Sequence, residues 1–239
     1  VILIGIDDTD IAGTPGTNQL ARLILRRIGK AARDSMLCRH QLFFDPRVPY
    51  TSKNGSASIQ LPCAGSKDLN RLTQTILEVM KGWFVVGSDP GLCIAKTVPE
   101  EVRAFALRCK NEVVSQDEAR EVAARAGYYL IGLGGTEQGV IGALAAVGLI
   151  AGGDDGRVVQ LHSWPYPDEN FSGPRAIEEL YDRGIEEIRD LESGEPITHG
   201  SVDIGKHLRP NLQGGRIVLF VNASPDHGAS VPWRAVKLP

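Results

Sequence analysis

The 239-residue sequence has four cysteines, Cys38, Cys63, Cys93 and Cys109, and no two of them form a C-x-x-C pair. That spacing gives no support to a zinc ribbon. The five histidines, His40, His162, His199, His207 and His227, show no paired metal-ligand spacing either. Scattered cysteines predict reduced, free thiols in an intracellular protein. Nothing approaches the length of a membrane span and no signal peptide is recognisable, so the expected location is cytoplasmic, with no membrane partner. A basic surplus is missing as well: 26 Lys and Arg face 29 Asp and Glu, for a net charge of −3 and a pI near 6.0. Surfaces that bind nucleic acid by themselves are usually basic, so the balance disfavours a stand-alone nucleic-acid module while leaving a local basic patch open. No internal repeat or low-complexity linker is visible. What remains, 42% hydrophobic and 23% charged residues, is ordinary for a soluble globular chain with a substantial core.

The most informative stretch is the first. Val1-Ile2-Leu3-Ile4-Gly5-Ile6 holds no polar residue and reads as a strand buried on both faces. It runs directly into Asp7-Asp8-Thr9-Asp10, three carboxylates within four residues. Carboxylates so close raise one another's pKa unless a cation or a set of donors neutralises them. Mg²⁺ suits the task, since it takes one or two carboxylates and completes its octahedron with water and phosphate oxygens. The Gly-, Thr- and Pro-rich loop 11–17 then leads to a helix with apolar spacing from Asn18 onward. Strand, acidic turn, loop and helix N-terminus together make a metal–phosphate corner. A solvated turn with Asp and Thr as cap residues is the competing reading.

Farther along, 35–44 and 56–61 read as strands, 68–81 as an amphipathic helix, and 85–86 and 92–95 as short strands. The order β-α-β-β-α-β matches a split βαβ, ferredoxin-like unit over residues 1–96. A second α/β region, 97–239, opens with a helix after Pro99 and another from Ser115-Gln116-Asp117-Glu118, a capping-box pattern. The strand 128–133 precedes a glycine-rich loop, 134–139, and a helix of small residues to Gly148. Strands are expected at 157–162 and 217–221, a charged helix at about 174–192, and loop from Asn222 onward. The fold class is therefore α+β, a ferredoxin-like unit followed by a second α/β region, with a soft boundary near residue 97.

Three stretches together resemble the archaeal synthetase family that attaches agmatine to the wobble cytidine of an isoleucine tRNA. These are Gly5-Ile6-Asp7-Asp8-Thr9-Asp10, the segment from Asp45-Pro46-Arg47 through Lys53-Asn54-Gly55, and Gly139-Val140-Ile141-Gly142-Ala143-Leu144-Ala145-Ala146-Val147-Gly148. They occur in the family's order across residues 1–163, with a Pro90-Gly91 turn between the second and third, and the set is more specific than any one motif. The resemblance implies an enzyme that uses ATP and Mg²⁺ to phosphorylate a carbonyl and then lets an amine displace the phosphate. It maps the family's aspartates onto Asp7, Asp8 and Asp10, expected metal ligands, with Asp7 and Asp8 also catalytic. Its autophosphorylated threonine falls on Thr17, although Pro15-Gly16-Thr17-Asn18-Gln19 departs from the family's Met-Cys-Thr-Thr-Tyr. No counterpart of the family's oligonucleotide-binding barrel or zinc ribbon is recognisable up to Pro239, so the resemblance implies the catalytic part only.

Lys53 and Asn54 suit a phosphate or base, or simply a hairpin turn. Gly135 and Gly139 suit phosphate binding through backbone amides, with close helix packing as the equal alternative. No Gly-Lys-Ser/Thr follows, so this is not a P-loop. Asp154-Asp155 reads as a hairpin turn, and Lys206-His207-Leu208-Arg209 as a solvated basic loop. The expected function is ATP- and Mg²⁺-dependent activation of a nucleoside or other small acceptor. The alternative is a nucleotide-binding or regulatory module without catalysis. Direct tRNA binding by the chain alone is expected to be weak, about 10⁻⁵ M or worse at physiological salt.

Overall fold

The computed structural model describes residues 1–48, 53–62, 69–165, 171–224 and 231–238. The first part runs β1 (Ile2–Asp7), α1 (Thr17–Ile28), β2 (Met36–Gln41), β3 (Gly55–Leu61), α2 (Leu69–Lys81) and β4 (Gly91–Ala95). There follow α3 (Glu100–Arg108), α4 (Gln116–Arg125), β5 (Tyr129–Gly132), α5 (Gly139–Gly152) and β6 (Arg157–Leu161). The remainder comprises β7 (Pro174–Ala176), α6 (Ile177–Asp182), β8 (Glu187–Asp190), β9 (Ser201–Asp203), β10 (Asn211–Gln213), β11 (Arg216–Ala223) and β12 (Trp233–Ala235). The strands join one mixed sheet of order β5-β4-β1-β3-β2-β6-β10-β11-β12-β9-β7, with β8 paired to β11. The protein is thus α+β, and its first four strands stand in the antiparallel order β4-β1-β3-β2.

The unalternating apolar run of β1 is explained by helices on both faces. Ile2, Ile4 and Ile6 pack with Leu20 and Ile24 of α1 and Ile76 and Met80 of α2. Leu3, on the opposite face, packs in the cluster that holds Ala143, Leu144 and Val147 of α5 and Phe105 of α3. The small residues of α5 let its backbone lie directly on the sheet. A Cβ on Gly5 would stand 1.9 Å from the Ala143 carbonyl oxygen, and one on Gly91 would stand 2.1 Å from the Gly139 carbonyl carbon.

Three expectations need correction. No strand forms at 85–86, where Val86 makes only an isolated bridge to Ser88. The charged helix at 174–192 is instead β7, the six-residue α6 and β8. Ile177, Leu180, Ile185 and Ile188 mimic helical spacing, but Gly184 at φ +86° ends the helix, and β8 pairs in parallel with β11. The tail is not all loop: β12 pairs with β11 and β9.

Asp155 is more than a turn residue. Its carboxylate meets buried His40 (Nδ1 to Oδ1, 2.7 Å) and Lys110, while the other ring nitrogen of His40 lies 2.7 Å from Ser58 Oγ. Burial alone would raise the Asp155 pKa, but the hydrogen bond and charge of His40, then those of Lys110, outweigh it and hold the carboxyl below its ordinary value. A depressed carboxylate contributes stability above its unfolded pKa and loses it as pH falls through the folded one, here below about pH 4. Removing one partner of a buried pair typically costs about 3 kcal/mol, so Asp155→Asn is expected to shift the urea midpoint down by that equivalent at neutral pH. An unchanged midpoint would show the pair to be dispensable.

Candidate functional site

β1 ends at Asp7, and the chain turns sharply there: Asp8 has φ +50°, a left-handed conformation that Asp tolerates better than most residues. Asp7 continues the face that carries Leu3 and Gly5, so its side chain meets α5. A Cβ on Gly142 would lie 1.8 Å from Asp7 Oδ2, which makes Gly142 a condition for seating that carboxylate. The loop then returns to α1. Asp10 Oδ1 accepts from both the amide and the hydroxyl of Thr17, each at 3.1 Å, and buried Thr9 donates to Thr17 Oγ1 at 3.1 Å. Asp10 therefore satisfies an orphan amide at the start of α1.

These groups open on a cavity of about 530 Å³. Asp7, Asp8, Asp10, Thr17, Lys53 and Asn54, all singled out from sequence, line it together. Asn54 is fixed by donating to the Phe43 carbonyl at 2.7 Å, and its own carbonyl accepts from Leu42 and from the Gln41 side chain. Residues 49–52 of the same segment lie outside the described residues. Gly135 and Gly139 do not line the cavity. The Gly139 amide donates to the Asp89 carbonyl at 2.9 Å, and Gly135 turns tightly beside the Asp89 carboxylate, which caps Thr136. Their packing reading is the one this geometry favours.

Several lining residues escaped the sequence reading. Arg47, Glu112, Ser115, Asp117 and Gln138 reach the same cavity, which brings in the N-terminus of α4. Only Arg47 carried a signal, since it sits in the segment that bears the family resemblance. Cys109 also lines the cavity, but burial pushes its thiol pKa up and keeps it protonated.

The electrostatics are those of an incompletely neutralised acidic site. Burial, then Asp8 and Asp10, push the Asp7 pKa up to about 8. Burial, then Asp89 and Asp10, push that of Asp8 up to about 6. Among the described residues no group of three Asp, Glu, His or Cys stands close enough to hold a metal ion. Asp10 turns Oδ1 to Thr17, while Asp7 and Asp8 line the cavity beside it. Asp7 and Asp8 remain, and two carboxylates of raised pKa fit the way Mg²⁺ is held beside phosphate oxygens.

The fold and site together define an α+β protein with a carboxylate-lined cleft where a buried strand meets a helix N-terminus. The sequence is 30% identical over 150 residues to a tRNA(Ile2) 2-agmatinylcytidine synthetase from Pyrococcus horikoshii, covering 61% of this chain and 35% of that protein. It is also 30% identical over 150 residues to an uncharacterised protein of Methanocaldococcus jannaschii, covering 62% of this chain and 49% of the relative. The crystal structure of apo tRNA(Ile2) agmatidine synthetase superposes with a TM-score of 0.50 at 25% identity, over 62% of this chain and 35% of that one. No family model matches the chain. The similarity to the synthetases read from the three segments is thereby supported along more than half of the chain, which spans about a third of the synthetase's length.

Proposed function

We propose that this chain binds ATP with Mg²⁺ and activates an acceptor carbonyl, in a nucleoside or related compound, by phosphorylation. The observation that carries this reading is the convergence of Asp7, Asp8, Thr17, Lys53 and Asn54 on one cavity of nucleotide size. The synthetases to which the chain is similar are named for joining agmatine to a cytidine of tRNA(Ile2), a related chemistry. Asp7 and Asp8 would hold Mg²⁺, which when bound neutralises charge on the transferring phosphoryl group. Among the described residues lining the cavity, Lys53 is a cation open to phosphate oxygens, while Arg47 is held by Asp45 (Nε to Oδ1, 2.8 Å; Nη2 to Oδ2, 2.9 Å) and would have to leave that pair to reach them. Among the described residues, five carboxylates line the cavity (Asp7, Asp8, Asp10, Glu112, Asp117) together with Lys53 and the Asp45-paired Arg47, an excess of acid that suits a metal ion and a cationic amine. The same reading takes residues 1–96 as a ferredoxin-like unit, supported by the strand order β4-β1-β3-β2, and the protein as cytoplasmic.

One observation favours the second reading, a nucleotide-binding module. The Thr17 hydroxyl is engaged by Asp10 and Thr9, so phosphorylating it requires breaking that network. Calorimetric titration with Mg-ATP, followed by phosphate release with nucleosides and amines, separates the two. Binding together with acceptor-dependent turnover is expected, whereas binding without turnover against any acceptor would leave the module.

A further inference from the structure

A second cavity, of about 420 Å³, lies toward the other end of α1 from the aspartates. Thr17, the first residue of α1, lines the first cavity, whereas Arg22, Leu25 and Arg26 line the second. Much of the remaining wall comes from the end of β6 and the residues just after it. The two cavities differ in sign. Five carboxylates line the first, while among the described residues the second is lined by Arg22, Arg26 and His162 and by no Asp or Glu.

The ordinary explanation of basic residues at this place is the helix macrodipole. Arg26, in the last turn of α1, complements the partial negative charge of the helix C-terminus. That accounts neither for Arg22, one turn earlier, nor for what β6 contributes. Arg22 crosses to that strand, its Nε donating to Gln160 Oε1 at 3.3 Å and its Nη2 to the Val159 carbonyl at 2.8 Å. Gln160 is buried and held in turn, its side-chain amide donating to the Leu161 carbonyl at 2.9 Å and the Trp164 carbonyl at 2.8 Å. Bonds to a strand fix the plane of the guanidinium, so less side-chain freedom is lost when it meets a ligand.

Trp164 is anchored in the same way. It is buried, and its indole N–H donates to the Arg183 carbonyl at 2.7 Å. With Leu25 and Leu161 it gives the cavity an apolar wall. Positive charge is reinforced from outside. Burial, then Arg209, Lys237, Lys206 and Arg22, hold the His207 imidazole below its ordinary pKa, so Arg22 stands among cations. Arg209 has Arg157 as a further neighbour, and Arg157 faces Arg39 across the β2–β6 ladder. A cleft with charge of one sign and low-dielectric walls concentrates ions of the other sign.

We propose that this second cavity binds a small organic anion, its carboxylate or phosphate held by Arg22 and Arg26 and its apolar body lying against Leu25, Leu161 and Trp164. The site is separate from the aspartate cavity and does not rest on the function proposed there. Guanidinium groups suit carboxylate and phosphate oxygens alike. The volume falls within the range of pockets that enclose small molecules, about 300–1,000 Å³.

The test titrates the full chain with phenyl phosphate and with benzoate, two acid groups on one apolar body, by calorimetry and by tryptophan fluorescence. Binding is expected with a dissociation constant of about 10⁻⁴–10⁻³ M for ligands of this size. The tighter of the two identifies the acid group. The fluorescence change is expected to disappear in Trp164→Phe. Arg22→Gln is expected to weaken binding about tenfold or more, the worth of a charge-assisted hydrogen bond. Because Arg22 also ties α1 to β6, Arg26→Gln, at an exposed position, is the second variant, with a loss of about tenfold. Arg27→Gln, exposed on the same turn but not lining the cavity, is expected to leave the affinity unchanged.

Equal losses in Arg26→Gln and Arg27→Gln would reduce the site to diffuse surface charge and overturn the proposal. Failure to bind either acid at millimolar concentration would overturn it too. Inorganic phosphate binding as tightly as phenyl phosphate would overturn the role of the apolar wall. A requirement for Mg²⁺ would place the anion in the aspartate cavity instead, which also overturns the proposal. Mg-ATP is titrated into the same proteins: its failure to bind, with the organic anion still bound, counts against the functional reading alone, and the reverse counts against this one alone.

Discussion

Asp7→Asn is expected to raise the melting temperature of the metal-free chain while abolishing the proposed Mg²⁺-dependent ATP binding. The two effects have one cause. Asp7 faces the cavity but is enclosed by protein, with Asp8 and Asp10 nearby and α5 against its carboxylate, so its pKa is raised to about 8. A carboxylate whose folded pKa exceeds its unfolded value binds more protons in the folded state between the two, so its contribution to stability falls as pH rises. The window here runs from about pH 4, the unfolded value, to about 8. An amide of the same shape carries no such penalty. The gain at pH 8 is expected to be at least about 1 kcal/mol, or about 2–4 °C for a chain of this size, and to vanish near pH 4. Mg-ATP should erase the difference in the other direction, by stabilising wild type and not the variant. Thermal melts at several pH values, with and without Mg-ATP, supply both readouts. If wild type and variant bind Mg-ATP equally, Asp7 is not a metal ligand. If the variant melts lower at pH 8, burying the Asp7 carboxylate does not destabilise the fold.

Gly5→Ala is expected to cost a large part of the stability of the fold. The new Cβ would stand 1.9 Å from the Ala143 carbonyl oxygen, a backbone atom that no rotamer change can move aside. Either α5 lifts from β1 or the strand bends, and both openings disturb the cluster that joins Leu3 to Ala143, Leu144 and Val147. Overpacking of this kind costs about 1–3 kcal/mol where side chains can yield, and more where they cannot, so a loss of about 4 kcal/mol is expected. Equilibrium urea unfolding measures it. Because Asp7 is seated through Gly142 on the same helix, Mg-ATP affinity should fall together with stability. A Gly5→Ala protein with wild-type stability would mean that α5 does not rest on this strand.

The core of the fold was legible where local chemistry is unambiguous. An apolar run ending in aspartates announced a doubly covered strand, and Ser115 caps α4 as its sequence suggested, accepting from the Glu118 amide at 3.2 Å. The small-residue helix announced close approach, though not which partner: Gly139 and Gly142 pack against β4 and Asp7, and Gly148 against Val102 and Ala106 of α3. Residues 174–192 misled because four apolar residues at helical spacing straddle Gly184, whose backbone decides the matter.

The site divides in the same way. Asp7, Asp8, Asp10, Thr17, Lys53 and Asn54 were readable from their own neighbourhoods, and the cavity they share confirms their proximity. That Asp10 serves Thr17, that Asp155 pairs with His40 and Lys110, and that α4 contributes Ser115 and Asp117 depends on segments that meet only in three dimensions. The sequence by itself determined the strand–acidic turn–helix corner, because burial period and turn chemistry are local properties of a few residues. Only the tertiary structure decided the charge map. A chain of net charge −3 places Arg22, Arg39, Arg157 and Arg209 together on one surface. Strand pairing between distant segments sets which charges face each other, and no composition or window of sequence records it.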